Sequence, residues 1–132
     1  MRVVLDTNVL VSALIKAGKP RKLFEATVAG RHRLITSRPL IEELAKVLAD
    51  SKVKRYVTSQ EATVFQRLLV ATAPTVDIKS EFRVLGSADD MVLRTAYDGR
   101  ADLIVTGDKH LLDLESFRGI RIVTVSDAEA IL

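Results

Sequence analysis

The run Arg2-Val-Val-Leu-Asp6 opens the chain and decides how the rest is read. It is short, apolar and rich in β-branched residues, which marks a buried strand. A helix is expected from Asn8 to Lys16, with Gly18 and Pro20 punctuating its exit. A second helix, Arg21 to Ala29, closes at Gly30 and leads into a strand from His32 to Thr36.

Outward from there the alternation continues. Arg38 to Ala49 carries apolar residues at 40, 41, 44, 47 and 48, a one-face helical stripe. A basic turn, Lys52-Val-Lys-Arg55, precedes Thr58-Ser-Gln-Glu61, a capping-box pattern that opens a helix to about Thr72. Pro74 ends that helix, and Thr75 to Ile78 reads as a short strand. Ser87-Ala-Asp-Asp90 opens the next helix, which stops near Gly99. Strands follow at Asp102 to Thr106 and Arg121 to Val125, and Ser126-Asp-Ala-Glu129 is expected to cap a terminal helix. Strands separated by helices imply parallel pairing with right-handed crossovers, hence an α/β fold: a three-layer α/β/α sandwich around a mostly parallel central sheet.

The chain has 132 residues, within the usual size of one domain, and neither a repeat nor a linker divides it, so residues 1–132 are expected to form one unit. At 48% hydrophobic and 28% charged, with 6 Gly and 3 Pro, it is neither disordered nor of low complexity. The absence of cysteine removes disulfide scaffolds, thiolate zinc sites, iron–sulfur clusters and cysteine nucleophiles. With only His32 and His110, multi-histidine metal sites are not expected. The apolar runs Val3–Leu5 and Val9–Ile15 stop at Asp6 and Lys16, far short of a membrane span, and no signal-peptide pattern is present. A cytoplasmic location with no membrane partner is therefore expected. The net charge of +3 permits a nucleic-acid partner without requiring one.

The acids carry the chemistry. Ligands of open parallel sheets bind beyond the carboxyl ends of the strands, where Asp6 and Asp108 fall. For either one alone, a helix cap or turn residue is the commoner role at such a junction. On the third helix Glu42 lies opposite the apolar stripe, whereas Glu43 lies about 90° from it, at the border of core and surface. That border position leaves two roles open for Glu43, a structural one and one facing a cleft. Asp89 precedes Val92, Leu93 and Ala96 by three, four and seven residues, which places it on the buried face. An inward carboxylate requires a cation, a cap role or a catalytic task. Asp90 ranks below Asp89, because it suits the third position of a Ser87 capping box.

If Asp6, Asp89 and Asp108 converge with Glu43 at the rim, each like-charged pair at ~4 Å repels by roughly 4 kcal/mol at an effective dielectric of 20. No Lys or Arg lies within two positions of Asp6. A hard divalent cation resolves the repulsion, and all-oxygen ligands favour Mg²⁺ or Mn²⁺ over zinc. Such a site suits phosphodiester hydrolysis. His110, two residues after Asp108, reads as an exposed histidine beside Lys109, the alternative being an extra ligand or a proton shuttle. There is no GxxxxGK[ST] loop and no GxGxxG after the first strand, which removes the nucleotide-binding reading of the fold.

Four segments in order, Val4-Leu-Asp-Thr-Asn8, Ile41-Glu-Glu-Leu44, Ala88-Asp-Asp-Met-Val-Leu-Arg-Thr-Ala96 and Ile104-Val-Thr-Gly-Asp108, resemble the PIN domain family, including the VapC-like toxins of toxin–antitoxin pairs. The resemblance covers essentially the whole chain. It implies a metal-dependent endoribonuclease whose acidic quartet, here Asp6, Glu43, Asp89 and Asp108, binds one or two Mg²⁺ or Mn²⁺ ions. The family's acid on the fourth-motif helix precedes an alanine by seven positions, which selects Asp89 over Asp90. Asn8 and Thr106 match polar residues that brace the family's site. Lys109-His110-Leu111 departs from the acid or aromatic often found after the last aspartate.

The resemblance also implies an RNA substrate, a homodimer formed through the first helices and the Val64–Val70 helix, and an antitoxin whose tail blocks the acidic cleft. Without the four site acids the chain keeps 20 basic against 13 acidic residues. Lys52, Lys54, Arg55 and the Lys19–Lys22 segment are candidates to hold phosphates, each otherwise an ordinary solvated residue. The alternative function is a non-catalytic PIN-fold module that binds RNA or scaffolds. Retention of all four acids speaks against it.

Overall fold

The computed structural model describes all 132 residues. Six strands, β1 (Arg2–Leu5), β2 (Arg33–Ser37), β3 (Thr75–Val76), β4 (Leu103–Val105), β5 (Ser116–Phe117) and β6 (Ile120–Val123), form one sheet in the order β3-β2-β1-β4-β6-β5. The helices are α1 (Thr7–Ile15), α2 (Lys19–Val28), α3 (Arg38–Leu48), α4 (Ser51–Lys54), α5 (Ser59–Thr72), α6 (Ser87–Asp98), α7 (Lys109–Leu112) and α8 (Val125–Ile131). Every strand pair is parallel except β5 with β6. The α/β/α sandwich with a mostly parallel sheet read from the sequence is the fold observed.

Alternation along β1 builds the layers. Val3 and Leu5 enter a core with Leu10 of α1, Phe24 of α2, Leu44 and Leu48 of α3, Leu69 of α5 and Ala128 of α8. Val4, pointing the other way, enters a second core with Val92, Leu93 and Ala96 of α6 and Leu111 of α7. Both faces of β1 are thus covered, and for this reason its sequence is uniformly apolar.

β1 is central, and the chain reverses around it: β2 and β3 lie to one side, β4, β6 and β5 to the other. Such a switch point opens a crevice at the carboxyl ends of the strands. The register Leu5↔Val105 sets Asp6 beside Thr106 across that crevice. The helix that returns the chain, α6, is fixed at the carboxyl end of β2 by a buried hydrogen bond between the hydroxyls of Ser37 and Thr95, 2.8 Å. One turn further on, at the C-cap of α6, Gly99 allows close approach, since a Cβ there would stand 2.6 Å from Ile35 Cγ2 and 2.7 Å from Val76 Cγ2.

The capping box opening α5 is present: Thr58 Oγ1 accepts from Glu61 N at 3.1 Å, and Glu61 Oε1 accepts from Thr58 N at 3.0 Å. Most boundaries shift by one or two residues from the sequence reading, β3 stopping at Val76 instead of Ile78, and the basic turn at 52–55 is largely the short helix α4; two further departures concern caps. The last strand ends at Val123, and α8 is capped by Thr124, whose hydroxyl accepts from Asp127 N at 3.2 Å, so Ser126 lies within the helix. The N-cap of α6 is Gly86, with no capping side chain, so Asp90 is not the partner of a Ser87 box.

The β5–β6 hairpin had no sequence signal. Its two-residue loop, Arg118-Gly119, has positive φ at both residues, 50° and 84°, the combination that Asn-Gly or Asp-Gly usually supplies. Here the Arg118 guanidinium lies over the rings of Phe82, Tyr97 and Phe117 at 4.7, 5.0 and 5.1 Å, contacts that offset the strain.

Candidate metal centre

Asp6 follows the last residue of β1 and is the N-cap of α1. Its Oδ1 accepts from Thr7 N at 2.8 Å, and its Oδ2 accepts from the hydroxyl of Thr106 at 2.7 Å. The same Thr106 oxygen accepts from Asp108 N at 3.0 Å. Thr106, wholly buried at the end of β4, thus ties the first aspartate to the backbone of the last across 100 residues of chain. Asp108 caps α7, with Oδ1 accepting from His110 N at 2.8 Å. Both cap readings of these acids are therefore correct, and neither uses up the carboxylate.

Asp89 projects from the first turn of α6 into the same crevice. Ligand atoms of Asp89, Asp108 and His110 all lie within 4.8 Å of one another. Burial raises the pKa of Asp6 above the ordinary aspartate value; the bonds from Thr106 and Thr7 pull it back, and the charge of Asp108 pushes it up again. Asp89 is raised as well, first by burial, then by its carboxyl–carboxyl contact with Asp108 and by the charges of Asp108 and Asp6, with His110 acting in the opposite direction. Three carboxyls from β1, α6 and β4 therefore press on one another.

The donor set suits a divalent cation. It is composed of hard carboxylate oxygens whose mutual repulsion a cation would remove, the ligand chemistry of Mg²⁺ and Mn²⁺. His110 adds one nitrogen at the exposed rim, its Nδ1 3.6 Å from Asp108 Oδ1.

The remaining sequence candidates are placed less centrally. Glu43 is half-buried on α3, makes no hydrogen bond or ion pair, and is not among the charges that shift Asp6 or Asp89. Its neighbour Glu42 is exposed and pairs with Arg38 at 3.2 Å, as its position opposite the stripe implied. Asn8 is exposed on the first turn of α1 and lines a small cleft with Thr106 and Gly107. Sequence reasoning did not single out Thr7, whose hydroxyl is buried beside Asp6 without a hydrogen-bond partner.

Asp90 is the clearest departure. It is the more buried member of the pair, 4% exposed, while Asp89 is half-buried. Helix phase put Asp89 inward, but the first turn of α6 lies at the crevice, where inward means toward other carboxyls and water. Asp90 turns to the preceding loop: Oδ1 accepts from Leu85 N at 2.8 Å, and both oxygens accept from Val84 N at 3.1 and 3.2 Å. These amides hold its pKa below the usual value.

A profile of the PIN domain family matches residues 2–110, and the chain belongs to that family. The uncharacterized protein MJ1680 of Methanocaldococcus jannaschii is 30% identical over 121 residues, spanning 86% of this chain and 75% of that protein. The crystal structure of VapBC2 from Rickettsia felis bound to a DNA fragment from their promoter matches with a TM-score of 0.66, over 94% of this chain and 98% of that chain. At 14% identity that likeness is one of fold.

Proposed function

We propose that this protein is a divalent-metal-dependent endoribonuclease, the toxin of a toxin–antitoxin pair. The observation that carries the reading is the convergence of Asp6, Asp89 and Asp108 at the switch point of the sheet, with no Lys or Arg forming an ion pair with any of them. Family membership supplies the reaction class, and the VapBC2 fold neighbour favours the toxin role with an antitoxin as partner.

Asp6, Asp89 and Asp108 would hold Mg²⁺ or Mn²⁺, which supplies an activated water and neutralises charge on the phosphoryl group. The chain does the rest. Thr106 fixes the carboxylate of Asp6 and the backbone of Asp108 in one rigid unit, so the acids cannot swing apart to relieve their repulsion. Glu43, on the helix that packs against α1 and α6, completes the site or positions the attacking water. Hydrolysis adds water to phosphorus and breaks the bond to the leaving ribose oxygen. His110 lies exposed beside Asp108, as its place next to Lys109 implied, with its Nδ1 3.6 Å from Asp108 Oδ1.

Homodimerisation is assigned to α1, α2 and α5; of these, α5 carries the exposed apolar residues Val64, Leu68 and Val70. No helix is long and apolar enough to cross a membrane, and the proposed site of action is the cytoplasm.

The test is cleavage of a structured and an unstructured RNA with Mn²⁺, Mg²⁺ or EDTA, for wild type, Asp6→Asn and Asp89→Asn. Metal-dependent cleavage lost in both variants supports the reading. If wild type neither cuts RNA nor binds Mn²⁺ by calorimetry, the enzyme reading fails and a binding module remains.

A further inference from the structure

Between the chain segment 83–86 and α6 lies a cavity of about 510 Å³, within the range of small-ligand sites. We propose that it is a subsite for the nucleotide adjacent to the scissile phosphate of a single RNA strand; this rests on the nuclease reading above. Its walls offer the two chemistries a nucleotide needs.

The first is positive charge. Arg83 is exposed and makes no ion pair or hydrogen bond. Arg94, which also lines the cavity, spends Nε and one terminal nitrogen on the carbonyl of Phe82, at 3.0 and 2.6 Å, the same terminal nitrogen reaching the carbonyl of Glu81 at 3.4 Å, while its other terminal nitrogen makes no hydrogen bond. Guanidinium groups are the side chains best shaped for phosphate oxygens. The second is an apolar surface: Val84 and Leu85 are 46% and 37% exposed, and half-buried Met91 lies beside them. A nucleobase face would cover all three.

One acid, Asp90, lines the cavity, and an unpaired carboxylate there would repel a phosphate. Both of its oxygens are instead occupied by the amides of Val84 and Leu85. The carboxylate stays charged, but the N–H dipoles that clamp it and the nearby charge of Arg94 face it, and the clamp shapes the wall. Location completes the argument: Asp89 and Asp90 are consecutive, and consecutive helical side chains diverge by about 100°. One first turn therefore faces the carboxylate cluster with Asp89 and the cavity with Asp90, so a strand held at Asp89 has the cavity on the adjacent side of the same turn.

The test uses Asp89→Asn protein in EDTA as a host that binds without cutting, with a fluorescein-labelled single-stranded RNA read by anisotropy across a salt series. Adding Arg83→Ala is expected to weaken binding about tenfold and to lower the slope of log K against log salt by ~0.7, the value for one phosphate contact on a single strand. Arg83→Lys should restore the slope. Leu85→Ser should weaken binding with the slope unchanged. In the active protein Arg83→Ala should raise KM and leave kcat as it was. Unaltered affinity and slope in Arg83→Ala overturn the subsite, as does a host that binds no RNA. Failure of the nuclease reading looks different: wild type would then neither cut RNA nor bind Mn²⁺, whatever Arg83→Ala does to RNA affinity.

Discussion

Asp89 and Asp90 share one helical turn, yet the carboxyl of Asp89 faces other carboxyls, whereas that of Asp90 faces two backbone amides. The first environment raises the pKa and the second lowers it. Asp98, at the far end of the same helix, repeats the second pattern: it accepts from Lys79 N, Ser80 N and the Ser80 hydroxyl at 2.8–3.0 Å, and its pKa is lowered despite partial burial. Together with Arg94, these acids strap an irregular segment, residues 79–86, onto α6. Carboxylates that stabilise are supplied with donors. Carboxylates left in mutual conflict are the ones to suspect of chemistry.

The largest effect that tests this contrast is removal of a conflicting charge. Asp89→Asn and Asp6→Asn are each expected to reduce metal-dependent cleavage by ~10³-fold or more, the scale of losing an essential electrostatic group. Both should also raise Tm at pH 7 by a few degrees, because each removes a charge that the fold disfavours. A lower Tm in both would break the comparison. Mn²⁺ should raise the Tm of wild type and not that of Asp89→Asn, since a ligand stabilises only a fold that binds it.

Next in size is Thr106→Val, which leaves Asp6 and Asp108 in place but unties them. A drop of about 10–100-fold in Mn²⁺ affinity or cleavage is expected, as for other supporting groups around metal sites. Calorimetry alongside kinetics reads both quantities, and full retention of each would show that the tie is dispensable.

Asp90→Asn should act on stability and not on the metal. A loss of order 1–3 kcal/mol is expected from imperfect replacement of its charge-assisted bonds, with faster hydrogen exchange at the Val84 and Leu85 amides. Mn²⁺ affinity should be unchanged. Melts across pH sharpen the contrast. Asp90, with its lowered pKa, contributes stability present above the unfolded aspartate value of about 3.9 and lost as pH falls through its folded value. The deficit of Asp90→Asn should therefore shrink in acid. Asp6, with its raised pKa, opposes folding only once ionised, so the advantage of Asp6→Asn is full above the folded value and vanishes as pH falls toward the unfolded one. The smallest effect is that of Glu42→Gln, within about 0.5 kcal/mol and without change in cleavage, because its pair with Arg38 is solvent-exposed.

Much of this was legible along the chain. The uniformly apolar 3–5 and 103–105 runs marked strands covered on both faces, and the Thr58–Glu61 box marked the start of α5. Asp6 and Asp108 were visible as acids at strand ends. The Arg118-Gly119 hairpin was not visible, because its left-handed turn is held by three rings from distant segments instead of by turn-favouring residues. Asp90 was misread for a related reason: its amide partners precede the helix in a stretch without periodicity, while a Ser87 box was the nearest local alternative.

By itself the sequence determined the layers and the small set of acids able to do chemistry, since both follow from periodicities of two and 3.6 residues and from where runs stop. The tertiary structure alone decided which acids meet. It set Asp6, Thr106 and Asp108 in one hydrogen-bonded unit, brought Asp89 and His110 to it, and turned Asp90 away to the strap. The physical reason is that these are distances across the β1–β4 register, as between Asp6 and Thr106, 100 positions apart, and local pattern carries no information about them.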